Sequence, residues 1–171
     1  MLQSLDLPTE LSLRTGTVVI RRADKRDIRA LMRLLADDAI SATRGDVGAD
    51  ADEEAYASGL ARIIDDRAND LVVAIDSHDR VIAMLQLTAI PGVARRGSTR
   101  LLVEAVRVKA DQRSAGLGST LMRWVMEVAA PACGADLVQL TSDRQRTDAH
   151  RFYLRLGFVD SHVGFKYDVP R

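Results

Sequence analysis

A strand that runs into two glycines and then into an amphipathic helix constrains this chain more than any other stretch. The segment reads Val106-Arg-Val-Lys-Ala-Asp-Gln-Arg113-Ser-Ala-Gly116-Leu-Gly118-Ser-Thr-Leu121. Glycine at a helix start lets the backbone take positive φ and approach a ligand with no Cβ in the way. The first amides of such a helix have no partner inside it and point outward with the positive end of the dipole. Together these features make an anion seat suited to a pyrophosphate, with Arg113 adding a full charge at its edge. The spacing is neither Gly-x-x-x-x-Gly-Lys-Ser/Thr nor Gly-x-Gly-x-x-Gly, which excludes a P-loop and a Rossmann fingerprint.

Around this segment the periodicities predict the order β-α-α-β-β-β-α-β-α-β. Residues 17–22 are a β-branched run and read as the first strand. Asp24 caps the next helix with Asp27 at its third position, and Ile28, Leu31, Met32, Leu34 and Leu35 follow at helical spacing. After a break at 45–50, a helix over 52–66 turns Tyr56, Leu60, Ile63 and Ile64 inward. Residues 71–76 and 81–89 form a hairpin, and 100–109 a long strand. The glycine-loop helix runs over 117–130 on Leu121, Met122, Val125 and Val128, closed by Pro131 and Gly134. A strand over 137–142, a helix ending at Gly157 and a returning strand over 158–169 complete the chain. The predicted fold is α/β (α+β): a mixed, mostly antiparallel central sheet flanked by helices. Residues 1–16, with Pro8 and Gly16, read as an N-terminal extension outside the core, and 17–171 as the one domain.

Composition narrows the function classes. Lys+Arg and Asp+Glu balance at 24 each, so no global field holds nucleic acid or an anionic bilayer, and neither is expected as a partner. No apolar run approaches the roughly 18 residues of a membrane span, and the N-terminus lacks the regions of a signal peptide; a cytoplasmic protein is expected. One cysteine, Cys133, excludes an internal disulfide, and no His/Asp/Glu cluster has metal-ligand spacing, so no metal is expected.

Two motifs carry a resemblance. Arg113-Ser-Ala-Gly116-Leu-Gly118 resembles the Arg/Gln-x-x-Gly-x-Gly/Ala loop of the GNAT superfamily of N-acetyltransferases. Ala149-His-Arg-Phe152-Tyr153-Leu-Arg-Leu-Gly157-Phe158 resembles that family's Ala-x-x-Phe-Tyr-x-x-x-Gly-Phe ending. The element order from 17 to 169 is similar too. A finer likeness, in Arg146-Thr-Asp-Ala-His-Arg-Phe-Tyr153 with Ser161-His162, is to the aminoalkylphosphonate and small-amine branch. The resemblance implies acetyl-CoA as cofactor and a primary amine of a small molecule as acceptor; a homodimer is compatible with it. It implies that Val106, Arg107 and Val108 lie beside the pantetheine arm. Arg113, Ser114, Ala115, Gly116, Leu117, Gly118 and Ser119 then line the pyrophosphate, with Ser142 and Arg146 completing the cofactor site. A protein amine as acceptor, and a non-catalytic acyl-CoA sensor of the same fold, stay open as alternatives.

Acetyl transfer to an amine sets two tasks. An alkylammonium of pKa ~10.4 is neutral about one part in a thousand near pH 7.4, a cost of roughly 4 kcal/mol. The departing sulfur, a thiol of pKa about 8.5, needs a proton. Tyr153 suits the second task, since a phenol of pKa ~10 keeps its proton at neutral pH, and the resemblance puts it there. Glu104, a charge in the apolar strand 101–108, is the candidate base. Strict alternation puts it on the face of Val106 and Val108. His150 and His162 are alternatives, with an unperturbed pKa of about 6.5.

Overall fold

The computed structural model describes residues 2–14 and 16–170, except for the side chain of Ser114. Six strands lie in the order β1-β2-β3-β4-β5-β6: β1 (Thr9–Leu13), β2 (Gly16–Arg22), β3 (Asn69–Ile75), β4 (Val81–Pro91), β5 (Thr99–Val108) and β6 (Leu137–Leu140). The pairings from β1 through β5 are all antiparallel. The helices are α1 (Ile28–Ala36), α2 (Ala39–Ala42), α3 (Glu53–Asp65), the single turn α4 (Ala94–Gly97), α5 (Leu117–Trp124), α6 (Ala130–Ala132) and α7 (Thr147–Arg155). The chain divides into two compact units, residues 1–139 and 140–171. The expected α/β class, a mostly antiparallel sheet flanked by helices, is what the structure shows.

In the first unit both faces of the sheet are covered, which is why Asp70 through Ile75 of β3 are all buried. On one face Leu71, Val73 and Met84 join Ile28, Leu31, Met32, Leu34 and Leu60 in a continuous core. On the other, the register Val72↔Leu85 and Leu87↔Val103 lines up fully buried aliphatics. Leu117, Leu121, Met122 and Val125 are buried as well, and their helix packs on β5 and β1.

Local chemistry sets the element starts. Asp24 accepts the Arg26 amide at 2.8 Å while the Asp27 carboxylate takes the Asp24 N–H at 2.9 Å, a reciprocal cap that satisfies two orphan donors. Arg21 adds a two-pronged bond to Asp27 at 2.7 and 2.8 Å. The hairpin turn between β3 and β4 is held by Asp76, whose carboxylate accepts the amides of His78 (2.9 Å) and Arg80 (3.0 Å) and the Arg80 guanidinium (2.8 Å).

Several expectations need correction. Residues 2–13 are not an extension outside the core: β1 pairs with β2, and Leu2 and Leu5 are buried. The cause is non-local. Arg22 donates to Asp70 at 2.8 Å and to the carbonyls of Leu2 (2.9 Å) and Leu5 (3.3 Å), strapping the N-terminus across the sheet. Ile64 and Val128, expected inward, are half exposed. For Val128 the reason is visible: after Trp124 the helix widens into a π turn, Val125–Ala129, with the Ala130 N–H donating to Val125, so the face rotates. The expected strand over 158–169 is absent. Val159, Val163, Phe165, Tyr167 and Val169 do alternate, yet all are exposed. A strand needs a neighbour for its ladder, and the described part of the second unit offers α7 and the last residue of β6.

Acid titration checks the caps. The Arg26 side chain and amide hold the Asp24 carboxyl down at about 2. Burial pushes Asp76 up, but the Arg80 side chain and the amides of Arg80 and His78 outweigh it and bring it to about 2. Both folded values lie below the ordinary 3.8. Their contribution is therefore complete above that pH and is lost as pH falls through 2. The urea midpoint of Asp76→Asn should sit below that of the parent at pH 6, with the gap closing by pH 2; a gap that is constant over that range would contradict the assignment.

Candidate active site

The glycine loop starts where β5 ends. Lys109 N–H makes the last rung to Ile82 at 2.9 Å, residues Ala110–Ala115 coil as a tight 3-10 turn, and Gly116 takes φ +84. That left-handed conformation disfavours any side chain, and nothing lies within 4 Å of the place a Cβ would occupy. The Thr120 N–H donates to the Gly116 carbonyl at 3.0 Å. The amides of Leu117, Gly118 and Ser119 ahead of it have no helical partner. The Leu117 side chain is fully buried, which pins the helix start to the core. The Ser114 side chain lies outside the described residues, and Ala115 precedes the turn.

The arginines do something the sequence did not foretell. Arg113 donates to the Val108 carbonyl at 3.0 Å and to the carbonyl and carboxylate of Asp37, both at 3.2 Å. Asp37, at the end of α1, also accepts the Ala110 amide at 3.2 Å. Arg107 donates to the Val106 carbonyl (2.8 Å) and to the buried Ser41 hydroxyl of α2 (2.6 Å). Both guanidiniums thus brace the loop and β5 against the α1–α2 corner rather than standing free at the loop edge.

Glu104 is exposed on β5, opposite Gln86. The alternation that put it with Val108 is broken. The register steps from Gln86↔Glu104 to Met84↔Arg107, so two residues, Ala105 and Val106, face the single Leu85. Ala105 has φ +49, a strained value for a residue with a Cβ. Glu104 therefore shares its face with Arg107, and Val108, opposite Ala83, is on the other.

On the Glu104 face a cavity of about 390 Å³ opens between α1, α3 and the sheet. Gln86 and Ala105, the cross-strand and chain neighbours of Glu104, line it, along with Leu31, Leu60, Leu71 and Met84. At its wall the Tyr56 hydroxyl donates to Asp46 at 2.6 Å. That bond, then burial, pushes the phenol up to about 12. Sequence reasoning missed Asp46, Gln86 and the bulge. It took Tyr56 as a plain inward residue and passed over Gly59, a glycine inside a helix, which was the available signal.

The second unit holds the other motif. Ser142 Oγ is buried and makes no hydrogen bond. Asp143 then turns the chain: its carboxylate accepts the Gln145 amide (3.0 Å) and its carbonyl the Arg146 amide (3.0 Å). His150 Nε2 donates to the same carbonyl at 2.8 Å, the direction set because a carbonyl only accepts. Helix α7 ends in a Schellman motif: Phe158 N–H to the Tyr153 carbonyl (3.1 Å), Gly157 N–H to the Leu154 carbonyl (3.0 Å), Gly157 at φ +93. The Phe158 ring stands edge-on to Tyr153 at 5.8 Å, and the Phe152 ring edge-on to it at 5.1 Å. The Phe-Tyr-x-x-x-Gly-Phe spacing is thus the stop signal of the helix, and it brings two rings edge-on to Tyr153. His162 sits in the exposed tail, bonded to the Ser161 hydroxyl at 2.7 Å.

Among the described residues no His/Cys/Asp/Glu group is arranged to hold a metal, and no helix is long and apolar enough to cross a membrane. The residues do fit coenzyme A. An open glycine turn followed by three amides without helical partners suits its diphosphate.

Fold and loop together define an acyl-CoA-handling transferase. The chain belongs to the acetyltransferase (GNAT) family, whose model matches residues 28–158 and whose members use acetyl-CoA. It is 41% identical over 63 residues to the aminoalkylphosphonate N-acetyltransferase of Salmonella typhimurium; the match covers 37% of this chain and 40% of that relative. The crystal structure of a transcriptional regulator from Bacillus halodurans C-125 superposes with a TM-score of 0.83 at 37% identity, covering 89% of this chain and 99% of that one. Glucosamine-6-phosphate N-acetyltransferase from Arabidopsis thaliana shares the fold at a TM-score of 0.70 and 16% identity, over 91% and 100% of the two chains.

Ultraviolet titration checks the Asp46–Tyr56 pair. One of the three tyrosines should ionise near pH 12, and Asp46→Asn should return it towards 10. The raised value favours the fold fully below pH 10, and that contribution is lost as pH climbs through 12. A spectrum with no ionisation left near pH 12 would contradict the pair.

Proposed function

We propose that this chain transfers acetyl directly from acetyl-CoA to a primary amine of a small molecule, both substrates being bound together. The observation that carries the reading is the open left-handed turn at Gly116, followed by three amides without helical partners. When bound, acetyl-CoA supplies an acetyl group on a thioester sulfur. The amides of Leu117, Gly118 and Ser119 hold its diphosphate; Ser114, Ala115 and Gly116 shape the turn. Val106, Arg107 and Val108 run beside the pantetheine arm, while Ser142 and Arg146 add polar contacts.

Glu104 takes a proton from the substrate ammonium, directly or through water, and frees the lone pair that forms the new C–N bond. Its exposure beside the bulge supports this, because a base has to exchange protons with solvent between turnovers. Tyr153 gives its proton to the sulfur as the C–S bond breaks; the second proton leaving nitrogen restores it. The support for Tyr153 is its place in the second motif and the fixing of its ring by Phe152 and Phe158. Arg113 and Arg107 act as braces. Holding the two reactants together contributes more than either proton transfer.

The named substrate of the Salmonella relative, an aminoalkylphosphonate, supports a small amine as acceptor. A second reading has one observation behind it: the 37% identical Bacillus chain is named a transcriptional regulator, so acyl-CoA sensing without turnover is the rival. Thiol release from acetyl-CoA over an amine panel separates the two, since binding without release on any amine favours the sensor. Tyr153→Phe should lower kcat by about 100-fold or more with the acetyl-CoA dissociation constant unchanged; unaltered turnover removes it from the acid role. Gly116→Glu should abolish the acetyl-CoA thermal shift, which at 100 times the dissociation constant corresponds to ~2.7 kcal/mol. A retained shift would place the diphosphate elsewhere.

A further inference from the structure

The cavity on the Glu104 face has a composition that selects among amines. It is an open cleft of about 390 Å³, within the range of small-ligand sites. Its lining is aliphatic apart from Asp46, Tyr56 and Gln86, and no Lys, Arg or His belongs to it. The one charge in the wall is negative, and the hydroxyl of Tyr56 is already committed to it at 2.6 Å.

Gly59 adds an independent observation. It lies within α3, carries no positive φ, and nothing stands within 4 Å of the place its Cβ would occupy. Glycine inside a helix costs stability relative to alanine, and neither backbone conformation nor a close neighbour requires it here. What its missing side chain provides is room in the cavity it lines.

We propose that this cavity receives the apolar body of the acceptor, so that the substrate class is a primary amine bearing an alkyl or aryl group and no anionic group. The inference rests on the acetyl-transfer reading for the amine end, which points to Glu104 by way of Gln86 and Ala105. An aminophosphonate finds no counter-charge in this lining and meets the Asp46 carboxylate. Apolar amines gain by transfer out of water, about fourfold for each methylene buried.

The experiment is a series of n-alkylamines from ethyl to hexyl, with 2-phenylethylamine and 2-aminoethylphosphonate, on the parent chain, Gly59→Ala and Gly59→Leu. For the parent, kcat/KM should climb about fourfold per methylene until the cavity is full, with the phosphonate below propylamine. Gly59→Ala should keep this slope and raise the Tm. Gly59→Leu should flatten the slope, with the acetyl-CoA thermal shift as in the parent. A flat series in the parent, or the phosphonate as the best acceptor, overturns the inference. Calorimetry of hexylamine on the coenzyme A-loaded protein gives a readout free of turnover. Binding lost in Gly59→Leu upholds the cavity assignment even where acetyl transfer itself fails, and no binding, or binding indifferent to that substitution, overturns it.

Discussion

Gly116 holds a left-handed backbone where β5 gives way to α5, and the functional half of the first unit is arranged around that turn. A side chain there would cost about 1–2 kcal/mol in backbone strain. What the turn provides is a short row of amides aimed away from the helix at its positive end. The buried Leu117 behind it keeps the row from fraying. An anion seat made from backbone is rigid and carries no side-chain entropy to lose on binding, which suits a ligand that is exchanged on every turnover.

The turn is also tied to the α1–α2 corner. Asp37 and Ser41, at the α1–α2 corner, are gripped by Arg113 and Arg107 from the loop and from β5. These bonds are partly exposed, so each is worth little by itself. Their value is positional: they fix the α1–α2 corner relative to the strand that carries Glu104. Arg113, expected at the phosphate, and Arg107, expected beside the pantetheine arm, thus also hold the loop and β5 to that corner.

What was legible in the sequence is what short-range physics decides. The Asp24–Asp27 cap, the hairpin turn between residues 76 and 81, the glycine start of α5 and the glycine stop of α7 each depend on residues within a few positions of one another. All four stand where the pattern put them. The failures share a non-local cause. The N-terminal strand is recruited by Arg22 and Asp70, 48 residues apart. The bulge at Ala105 is a misfit between two strands, invisible in either alone, and it sends Glu104 and Val108 to opposite faces. The alternating tail beyond Gly157 has the composition of a strand and no strand beside it in its unit, so composition overruled partnership in the prediction. The cavity is the sharpest case, because an absence of atoms leaves in the sequence only a glycine where alanine would serve.

The proposed function depends on coenzyme A sitting on the start of α5, and amide chemical shifts report on that directly. In ¹⁵N-labelled protein titrated with coenzyme A, the N–H signals of Leu117, Gly118 and Ser119 should move most and saturate together. Signals elsewhere on the chain moving to saturation while those three stay still would show that the diphosphate binds at another place and that the glycine turn is only a turn.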